Sequence, residues 1–435
     1  MMKSQLMLDS FRDQLMALEH TTGFAAKPKI ISAPLLGALK SAGTSHVYAD
    51  TADSEELRKI IEIEQDTIIE EIDGNTVNQP LAAKVIHRYL EQDDLIEWVR
   101  EFRGQNPAKT NHEMVEWLYA VVCGRIGNDM IRAFASSRSW EVSLQLHMGL
   151  MASPDRAHYI GRILRTVVPS ALVKVPFTPH APVCFLVARD LEQKGVPVNF
   201  TSTFSARQVV AAALLSNATR TNVFMGRLDQ GLHAKLLGAH VTLEAQRQLI
   251  RLRSKHQTHT QLIVASLRDW HSVVQTAGCD VYTIPCQVIR DFLQQQEVSP
   301  ADIKSQLDTS YEDRLKIPET IVSKLGADYI ARLYTIEPEF VEFLLEYRKT
   351  TEYQNLEDGD QLVRRFEAAG FKDVFYAPTE SEWSEMRRGK IPDLDAPLTQ
   401  KLALDTLYSL LADADFEKCQ EGMDREMEQY LNRED

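Results

Sequence analysis

The feature that most constrains the fold is a repeat in which a short apolar segment precedes an amphipathic helical segment. Such segments are typical of strands in a parallel sheet whose faces are covered by the intervening helices. Eight units over about 250 residues predict an α/β fold, a closed (β/α)8 barrel. The predicted strands are residues 46–50, 74–78, 141–147, 171–175, 196–201, 221–225, 260–266 and 279–284. An open, doubly wound sheet is the alternative, but no GxGxxG motif of a dinucleotide-binding sheet follows the first strand.

Three segments differ from the repeat. Residues 1–45 are predicted to form an N-terminal helical segment, with a helix over the first 20 residues and a connector after it, before the barrel of residues 46–299. Residues 90–135 are helical by periodicity and are interpreted as an insertion within the barrel. Residues 300–435 are predicted to form a mainly helical C-terminal extension.

The extension carries the acidity of the chain. Residues 297–435 contain 32 acidic and 17 basic residues, whereas the rest of the chain contains 30 and 31. Helices are predicted near its end at 398–412 and 417–431, and leucines form an apolar face on the first of them. We therefore expect a packed extension whose leucines are covered and whose acids face solvent. An interface between the subunits of a homo-oligomer is one way in which the leucines could be covered.

Composition argues against several classes of protein. No apolar run reaches the roughly 18 residues of a membrane span, and the N-terminal residues do not have the pattern of a signal peptide. The five cysteines are scattered without CxxC pairs, so neither a disulfide framework nor a zinc site is predicted. The acidic balance argues against nucleic acid as a partner. We expect a cytoplasmic protein that binds neither membranes nor nucleic acid.

Lys174 lies in the middle of an apolar strand segment, residues 171–178. Burial disfavours the ammonium form and lowers the pKa of a lysine, so Lys174 can be a neutral amine that attacks a carbonyl and forms a Schiff base. The alternative is a structural lysine whose aliphatic stem is buried while its ammonium group reaches the end of the strand.

Polar residues gather at the predicted strand ends, where (β/α)8 barrels carry their chemistry. They are Asp50, Asn78, Gln145, His147, Lys174, Asn199, Thr201 and Ser266, with Phe224, Arg227 and Arg268 beside them. The histidines and carboxylates do not have the spacing of metal ligands, so neither a metal nor another cofactor is predicted.

In this ordered set the chain resembles the transaldolase family. The resemblance covers about residues 46–296 and rests on Asp50-Thr51-Ala52, Asn78, Leu-Val-Lys174-Val-Pro, the run from Gly195 to Ser205 with Asn199 and Thr201, Phe224-Met-Gly-Arg227-Leu-Asp229, and Ala265-Ser266-Leu-Arg268. The insertion and the extension lie outside the pattern.

The resemblance implies a transferase that uses Lys174 as the Schiff-base lysine and Asp50 as the general acid and base. It would move a dihydroxyacetone unit from sedoheptulose 7-phosphate or fructose 6-phosphate to an aldose phosphate, as in the pentose phosphate pathway. The remaining roles implied are a water held by Gln145 and Thr201, sugar hydroxyls bound by Asn78 and Asn199, and an acceptor and phosphate pocket formed by Phe224, Arg227, Ser266 and Arg268.

Two positions point in opposite directions within that resemblance. Transaldolases commonly have glutamate where Gln145 stands and the related fructose-6-phosphate aldolases have glutamine, whereas Phe224 matches the transferases and the aldolases have tyrosine. Asn222 stands where a phosphate-contacting serine is common. His147 and His180 are additional ionisable groups that could contact an altered substrate, although a packing role is favoured.

Three functions remain open from the sequence. The first is a transaldolase, and the second is a free aldolase or a specialised sugar aldolase. The third is an inactive barrel that acts as a binding or scaffold protein through its acidic extension, which the intact set of Lys174, Asp50 and the arginines argues against. Because Phe224 has no hydroxyl to hold a water that would protonate the enamine, we expect transfer to be faster than release.

Overall fold

The computed structural model describes residues 29–60, 67–91, 93–134 and 140–432. The helix predicted within the first 20 residues lies outside these ranges. The strands are β1 (Lys29–Ile31), β2 (His46–Ala49), β3 (Thr67–Ile69), β4 (Gly74–Val77), β5 (Glu141–Gln145), β6 (Ala171–Pro176), β7 (Val198–Thr201), β8 (Arg220–Phe224), β9 (Gln261–Ala265) and β10 (Val281–Ile284). Eight of them close into a barrel in the order β10-β2-β4-β5-β6-β7-β8-β9, which confirms the predicted (β/α)8 fold.

Every pair of neighbouring barrel strands is parallel, and the barrel closes where β10 pairs with β2, from Val281 opposite His46 to Ile284 opposite Ala49. The β6 strand is buried along its whole length, as expected for an apolar segment covered on both faces. The pairing of β1 with β3 in a separate two-stranded sheet was not predicted, because the sequence around β1 was interpreted as a connector.

Helices alternate with the barrel strands and then build the extension. They are α1 (Pro34–Ser41), α2 (Ser54–Ile60), α3 (Gln79–Ala83), α4 (Ile86–Leu90), α5 (Asp93–Gln105), α6 (Asn111–Phe134), α7 (Pro154–Val167), α8 (Cys184–Gln193), α9 (Ala206–Ala211), α10 (Met225–Gly231), α11 (Leu237–His256), α12 (Trp270–Gln275), α13 (Cys286–Gln294), α14 (Glu319–Leu325), α15 (Ala327–Ala331), α16 (Pro338–Tyr347), α17 (Thr351–Gln354), α18 (Gly359–Ala368), α19 (Glu380–Met386), α20 (Pro397–Lys401) and α21 (Leu404–Asn432). A π-helical turn, Ala212–Ser216, continues α9. No helix among the described residues is long and apolar enough to cross a membrane.

The helical insertion is present between β4 and β5, where α5 and α6 fall within the predicted range. Its apolar residues at helical spacing, among them Leu95, Val99 and Leu118, are buried in the main core. The insertion is therefore packed onto the barrel and is part of the same core.

The end of the extension differs from the prediction. Instead of two helices, α21 is one helix of 29 residues, which is about 43 Å at 1.5 Å per residue. The leucines of one face, Leu407, Leu410 and Leu411, pack with Met386 and Leu398 of α19 and α20. These leucines are thus covered within one chain, and a second copy is not needed for that purpose.

The expectation that the acids of the extension face solvent is wrong for three aspartates of α21. Asp405, Asp413 and Asp415 are 3%, 0% and 8% exposed. The physical reason is that α21 is covered on two sides, because the face opposite the leucines packs on the barrel through Tyr408 and Phe416.

Candidate active site

Lys174 lies in β6 near the carboxyl end of the barrel and is 3% exposed. Burial lowers the pKa of its amine to about 8, against the opposing effect of the negative charge of Asp50. On the neighbouring strands Gln145 of β5 and Asn199 of β7 stand directly beside it in register. Lys174 is thus flanked by one residue with an amide side chain on each neighbouring strand.

Asp50 follows β2 directly and accepts a hydrogen bond from a hydroxyl of β4, the neighbouring strand in the barrel. Thr76 of β4 donates its Oγ1 hydrogen bond to Asp50 Oδ1 at 2.8 Å, and Thr283 of β10 lies 2.5 Å from the same hydroxyl. Burial raises the pKa of Asp50, although Lys174, the Thr76 bond and Arg268 act in the opposite direction. A carboxyl group with a raised pKa beside an amine of lowered pKa is suited to moving protons near neutral pH.

Amide and hydroxyl groups connect the strands beside the lysine. Asn222 of β8 donates to Thr201 Oγ1 at 2.7 Å, and Asn199 donates to Ser143 Oγ at 3.2 Å. Asn222 Oδ1 and Gln145 Oε1 are buried and have no hydrogen-bond partner in the described part of the chain. Buried polar atoms are normally satisfied, so these two acceptors mark where a substrate or a water can bind.

Asn78 is placed differently from its neighbours. Its side-chain oxygen accepts a hydrogen bond from Leu81 N at 3.1 Å, so Asn78 caps α3. The adjacent Gln79 is buried and donates from Nε2 to Leu146 O at 2.8 Å. A role of Asn78 in binding sugar hydroxyls stays a prediction that must be compatible with this cap.

Arg227, in the first turn of α10, is buried against the extension. Its Nη2 lies 3.0 Å from Asp415 Oδ2 of α21, and both side chains are about nine-tenths buried. The guanidinium also lies over the ring of Phe224, 5.6 Å from its centroid. Asp415 Oδ1 contacts Lys390 Nζ at 3.1 Å. An acidic residue of the extension therefore stands where the resemblance implies a phosphate.

Arg268 and Ser266 follow β9 and complete this side of the barrel mouth. Arg268 is exposed and donates from Nη1 to Ser266 O at 3.0 Å. Desolvation and the positive charge of Arg227 lower the pKa of Arg268, whereas Asp50 raises it. The Ser266 carbonyl approaches so closely that a Cβ on Gly226 would collide with it, which explains the glycine before Arg227.

The α21 helix crosses the carboxyl ends of β4 to β8. Successive contacts along it are Ser409 Oγ to Ser202 O at 2.9 Å, the ring of Phe416 against Phe224, and Gln420 near Gln79. His147 Nε2 lies 2.9 Å from Asp424 Oδ1, and His180 lies 3.9 Å from Glu417. Both histidines thus contact α21, in agreement with a packing role.

Four residues of this site are not predicted from the sequence. Thr76 and Thr283 are buried polar residues near the carboxyl ends of their strands. A hydroxyl that points into a barrel at this end is a signal that could have identified them. Asp415 and Lys390 gave no such signal, because they lie outside the repeat. Among the described residues, no group of three or more histidine, cysteine, aspartate and glutamate side chains is arranged to hold a metal ion.

The fold and the site define a (β/α)8 barrel with a buried lysine of lowered pKa at the carboxyl ends of its strands. The family model described as Transaldolase/Fructose-6-phosphate aldolase matches residues 47–358, and the chain belongs to this family. The match continues past the barrel into the extension, which the sequence resemblance placed wholly outside it. Residues 359–435, including α21, lie beyond the matched range.

Individual relatives carry consistent names. Transaldolase NQM1 of Saccharomyces cerevisiae is 26% identical over 354 residues, covering 79% of this chain and 94% of the relative. A probable transaldolase of Geobacillus kaustophilus is 31% identical over 166 residues, covering 37% of this chain and 70% of the relative. A probable transaldolase of Herpetosiphon aurantiacus is 27% identical over 250 residues, covering 57% and 86%.

Proposed function

We propose that this protein is a Schiff-base transferase that moves a dihydroxyacetone unit from a ketose phosphate to an aldose phosphate. The observation that carries the proposal is Lys174, whose pKa burial lowers to about 8 beside the carboxyl group of Asp50. At pH 7 about one tenth of such a lysine is neutral, which is enough for nucleophilic attack. The pentose phosphate pathway of the cytoplasm is the setting that we propose for this transfer.

In the proposed reaction Lys174 Nζ attacks the ketone carbon, and loss of water gives an iminium ion. The Asp50 carboxylate accepts the proton of the hydroxyl on the second carbon from that centre. The bond between the carbon next to the iminium carbon and this hydroxyl-bearing carbon breaks. Its electron pair forms the enamine, and the hydroxyl-bearing carbon leaves as an aldehyde. The enamine then attacks an acceptor aldehyde, Asp50 returns the proton, and water hydrolyses the new iminium ion.

The other side chains have supporting roles in this proposal. Asn199 donates to substrate hydroxyls, while Gln145 and Thr201 hold the water that serves the lysine adduct. Arg268 binds the distal phosphate with its guanidinium, and Arg227 shares that role where Asp415 permits.

The proposal is tested by borohydride reduction in the presence of fructose 6-phosphate or dihydroxyacetone. We expect a mass increase on the peptide that contains Lys174, and loss of that label together with turnover in Lys174→Met. Lys84→Met is the matched control, because Lys84 is exposed and also acts electrostatically on Asp50. Label on another lysine, or none with either ketose, would contradict the proposal.

A free aldolase is the second candidate. It is favoured by Gln145 Oε1, which has no hydrogen-bond partner among the described residues and can hold a water close to the enamine. The two functions differ in whether fructose 6-phosphate releases free dihydroxyacetone without an acceptor. We expect erythrose 4-phosphate to speed the consumption of fructose 6-phosphate several-fold. Equal rates with and without this acceptor would identify an aldolase.

A further inference from the structure

The contact between Arg227 and α21 bears on the substrate that the site accepts. We propose that Asp415 is a specificity-determining residue that competes with the substrate's phosphate for Arg227, and so shifts preference toward substrates with an uncharged distal end. The inference rests on the proposed function, because Arg227 and Arg268 border the same mouth as Lys174 and Asp50. Asp415 lies in the part of the chain beyond the family match.

The first argument is electrostatic. The Asp415 carboxylate lies 3.0 Å from Arg227 Nη2 in a site where both side chains are about 90% buried, so it already compensates the guanidinium charge. A phosphate dianion that binds Arg227 must either displace Asp415 or lie beside it. Two like charges a few ångströms apart repel each other strongly in a buried site, so either arrangement lowers phosphate affinity.

The second argument is that this contact can exchange. Arg227 uses only Nη2 for Asp415, and its buried Nη1 has no hydrogen-bond partner among the described residues. Asp415 has another cation at hand, since Lys390 Nζ lies 3.1 Å from its Oδ1 on the solvent side. A substrate phosphate can therefore reach Nη1 while Asp415 moves toward Lys390, without undocking α21.

The substrate class follows from these two points. An uncharged hydroxyl end, as in fructose or another unphosphorylated ketose, can accept a hydrogen bond from Nη1 and leave the ion pair intact. A phosphorylated ketose must disturb the pair. The negative charge that opposes a phosphate belongs to the side chain of Asp415 alone. Substitution of Asp415 should therefore reverse the preference for unphosphorylated over phosphorylated ketoses.

The experiment compares Asp415→Asn with Glu421→Gln, a control on the same helix whose carboxylate pairs with the partly exposed Arg387. For each protein, kcat/KM is measured for fructose 6-phosphate and for fructose with one acceptor. We expect Asp415→Asn to raise the ratio of the two values by about tenfold or more. Glu421→Gln should leave the ratio unchanged, and an unchanged ratio in Asp415→Asn would overturn the inference.

Binding of inorganic phosphate, measured by calorimetry, tests the same idea without turnover. We expect weak binding by the unmodified protein, with a Kd above about 1 mM, and at least about tenfold tighter binding by Asp415→Asn. Should that variant fail to fold, the unmodified protein decides alone, since a Kd below about 0.1 mM contradicts competition by Asp415.

Borohydride trapping with dihydroxyacetone separates failure of the inference from failure of the proposed function, because this ketose has no phosphate. Label on Lys174 together with unchanged phosphate binding in Asp415→Asn would overturn only the inference. Absence of label with any ketose, together with tighter phosphate binding in Asp415→Asn, would overturn the transferase and leave Asp415 as a competitor for an anion.

Discussion

Two arginines of the barrel pair with aspartates of α21, and the two pairs are built differently. Arg207 forms two bonds of 2.7 Å to Asp405, one to each oxygen, and Ser205 also donates to that carboxylate at 2.6 Å. Arg227 forms one contact of 3.0 Å to Asp415. In the first pair, beyond the end of β7, both carboxylate oxygens of Asp405 accept hydrogen bonds from Arg207. In the second pair, at the mouth of the barrel, Arg227 Nη1 has no hydrogen-bond partner among the described residues.

This difference indicates that the two aspartates of α21 have different roles. A bidentate arginine–carboxylate pair with further hydrogen bonds fixes geometry, and removing one partner leaves an uncompensated buried charge. A pair with one contact and a second cation nearby holds its carboxylate less firmly. Asp405 therefore anchors α21, while Asp415 is available to respond to a ligand.

The largest expected effect concerns Asp50 and Lys174, which belong to the barrel and not to α21. Asp50→Asn should reduce turnover by about 10²–10⁴-fold, because a positioned proton-transfer group is lost. Schiff-base trapping should persist. In the unmodified protein we expect trapping to rise with pH through about 8, the pKa of Lys174. In Asp50→Asn this rise should move to lower pH, since the charge of Asp50 raises the pKa of Lys174.

Trapping with dihydroxyacetone across the pH range checks this prediction, and Asp415→Asn serves as the control with an unchanged profile. A turnover rate of Asp50→Asn equal to that of the unmodified protein would leave Asp50 with no part in proton transfer.

The second prediction tests the anchor. Asp405→Asn should lower the free energy of unfolding by about 3 kcal/mol, the low end for a broken buried pair. The buried Arg207 loses its bidentate partner but retains Asp373, whose Oδ2 lies 3.0 Å from Arg207 Nη1. Asp415→Asn should cause a smaller loss, since Arg227 has only one contact to it. Urea unfolding of both variants at neutral pH measures the difference, and equal losses would remove the distinction between the two pairs.

The third prediction concerns Asp413, which lies between the two pairs on α21 and has no partner for either carboxylate oxygen among the described residues. Burial raises its pKa well above the usual value. The folded state then holds the proton of Asp413 more tightly than the unfolded state. The contribution of Asp413 to stability is therefore greatest below about pH 3.9 and falls as pH rises toward its folded pKa.

Asp413→Asn should remove this fall and gain about 1–3 kcal/mol at the upper end of that range. Unfolding measured from pH 4 to 8 checks the sign, which is opposite to that of Asp405→Asn. A variant less stable than the unmodified protein at every pH would show that the carboxyl group is satisfied in the folded protein.

The smallest expected effect concerns Phe224, whose ring contacts both Phe416 of α21 and the guanidinium of Arg227. Phe224→Tyr should raise acceptor-independent release of dihydroxyacetone several-fold, because a hydroxyl can help to hold the water that protonates the enamine. Phe204→Tyr is the matched control at the neighbouring ring. If Phe224→Tyr releases dihydroxyacetone no faster than the unmodified protein, the placement of a water at this position does not decide between transfer and release.

The two pairs also show what the sequence could predict. The barrel followed from periodicity, since each βα unit is local. The same repeat placed Lys174 and Asp50 at strand ends, whereas their catalytic roles came from the resemblance and stay predictions. The pairing of Arg227 with Asp415 joins residues that are 188 positions apart. No local pattern specifies which acidic residue of an extension meets which strand end.

The same limit explains the errors in the extension. The leucine face of α21 was visible as periodicity, but the periodicity cannot show that the opposite face is also covered, and so the buried aspartates were placed in solvent. Helix continuity between 412 and 417 was likewise missed, although Ala414, Asp415 and Phe416 contain no helix-breaking proline or glycine. The β1–β3 sheet depends on two three-residue strands, too short for any periodic signal.

Because α21 follows all eight barrel strands along the chain, its translation comes after theirs. Chains begin to fold from the amino terminus while they are being made. All eight barrel strands are complete by Ile284, but the helix over their carboxyl ends comes from residues 404–432. Until residues 404–432 are translated, the aromatic rings of Phe204 and Phe224 lack the partners Tyr408 and Phe416. A nonsense mutation between the codons of Ile284 and Leu404 would thus release a barrel with an uncovered apolar mouth, a substrate for chaperones and proteases.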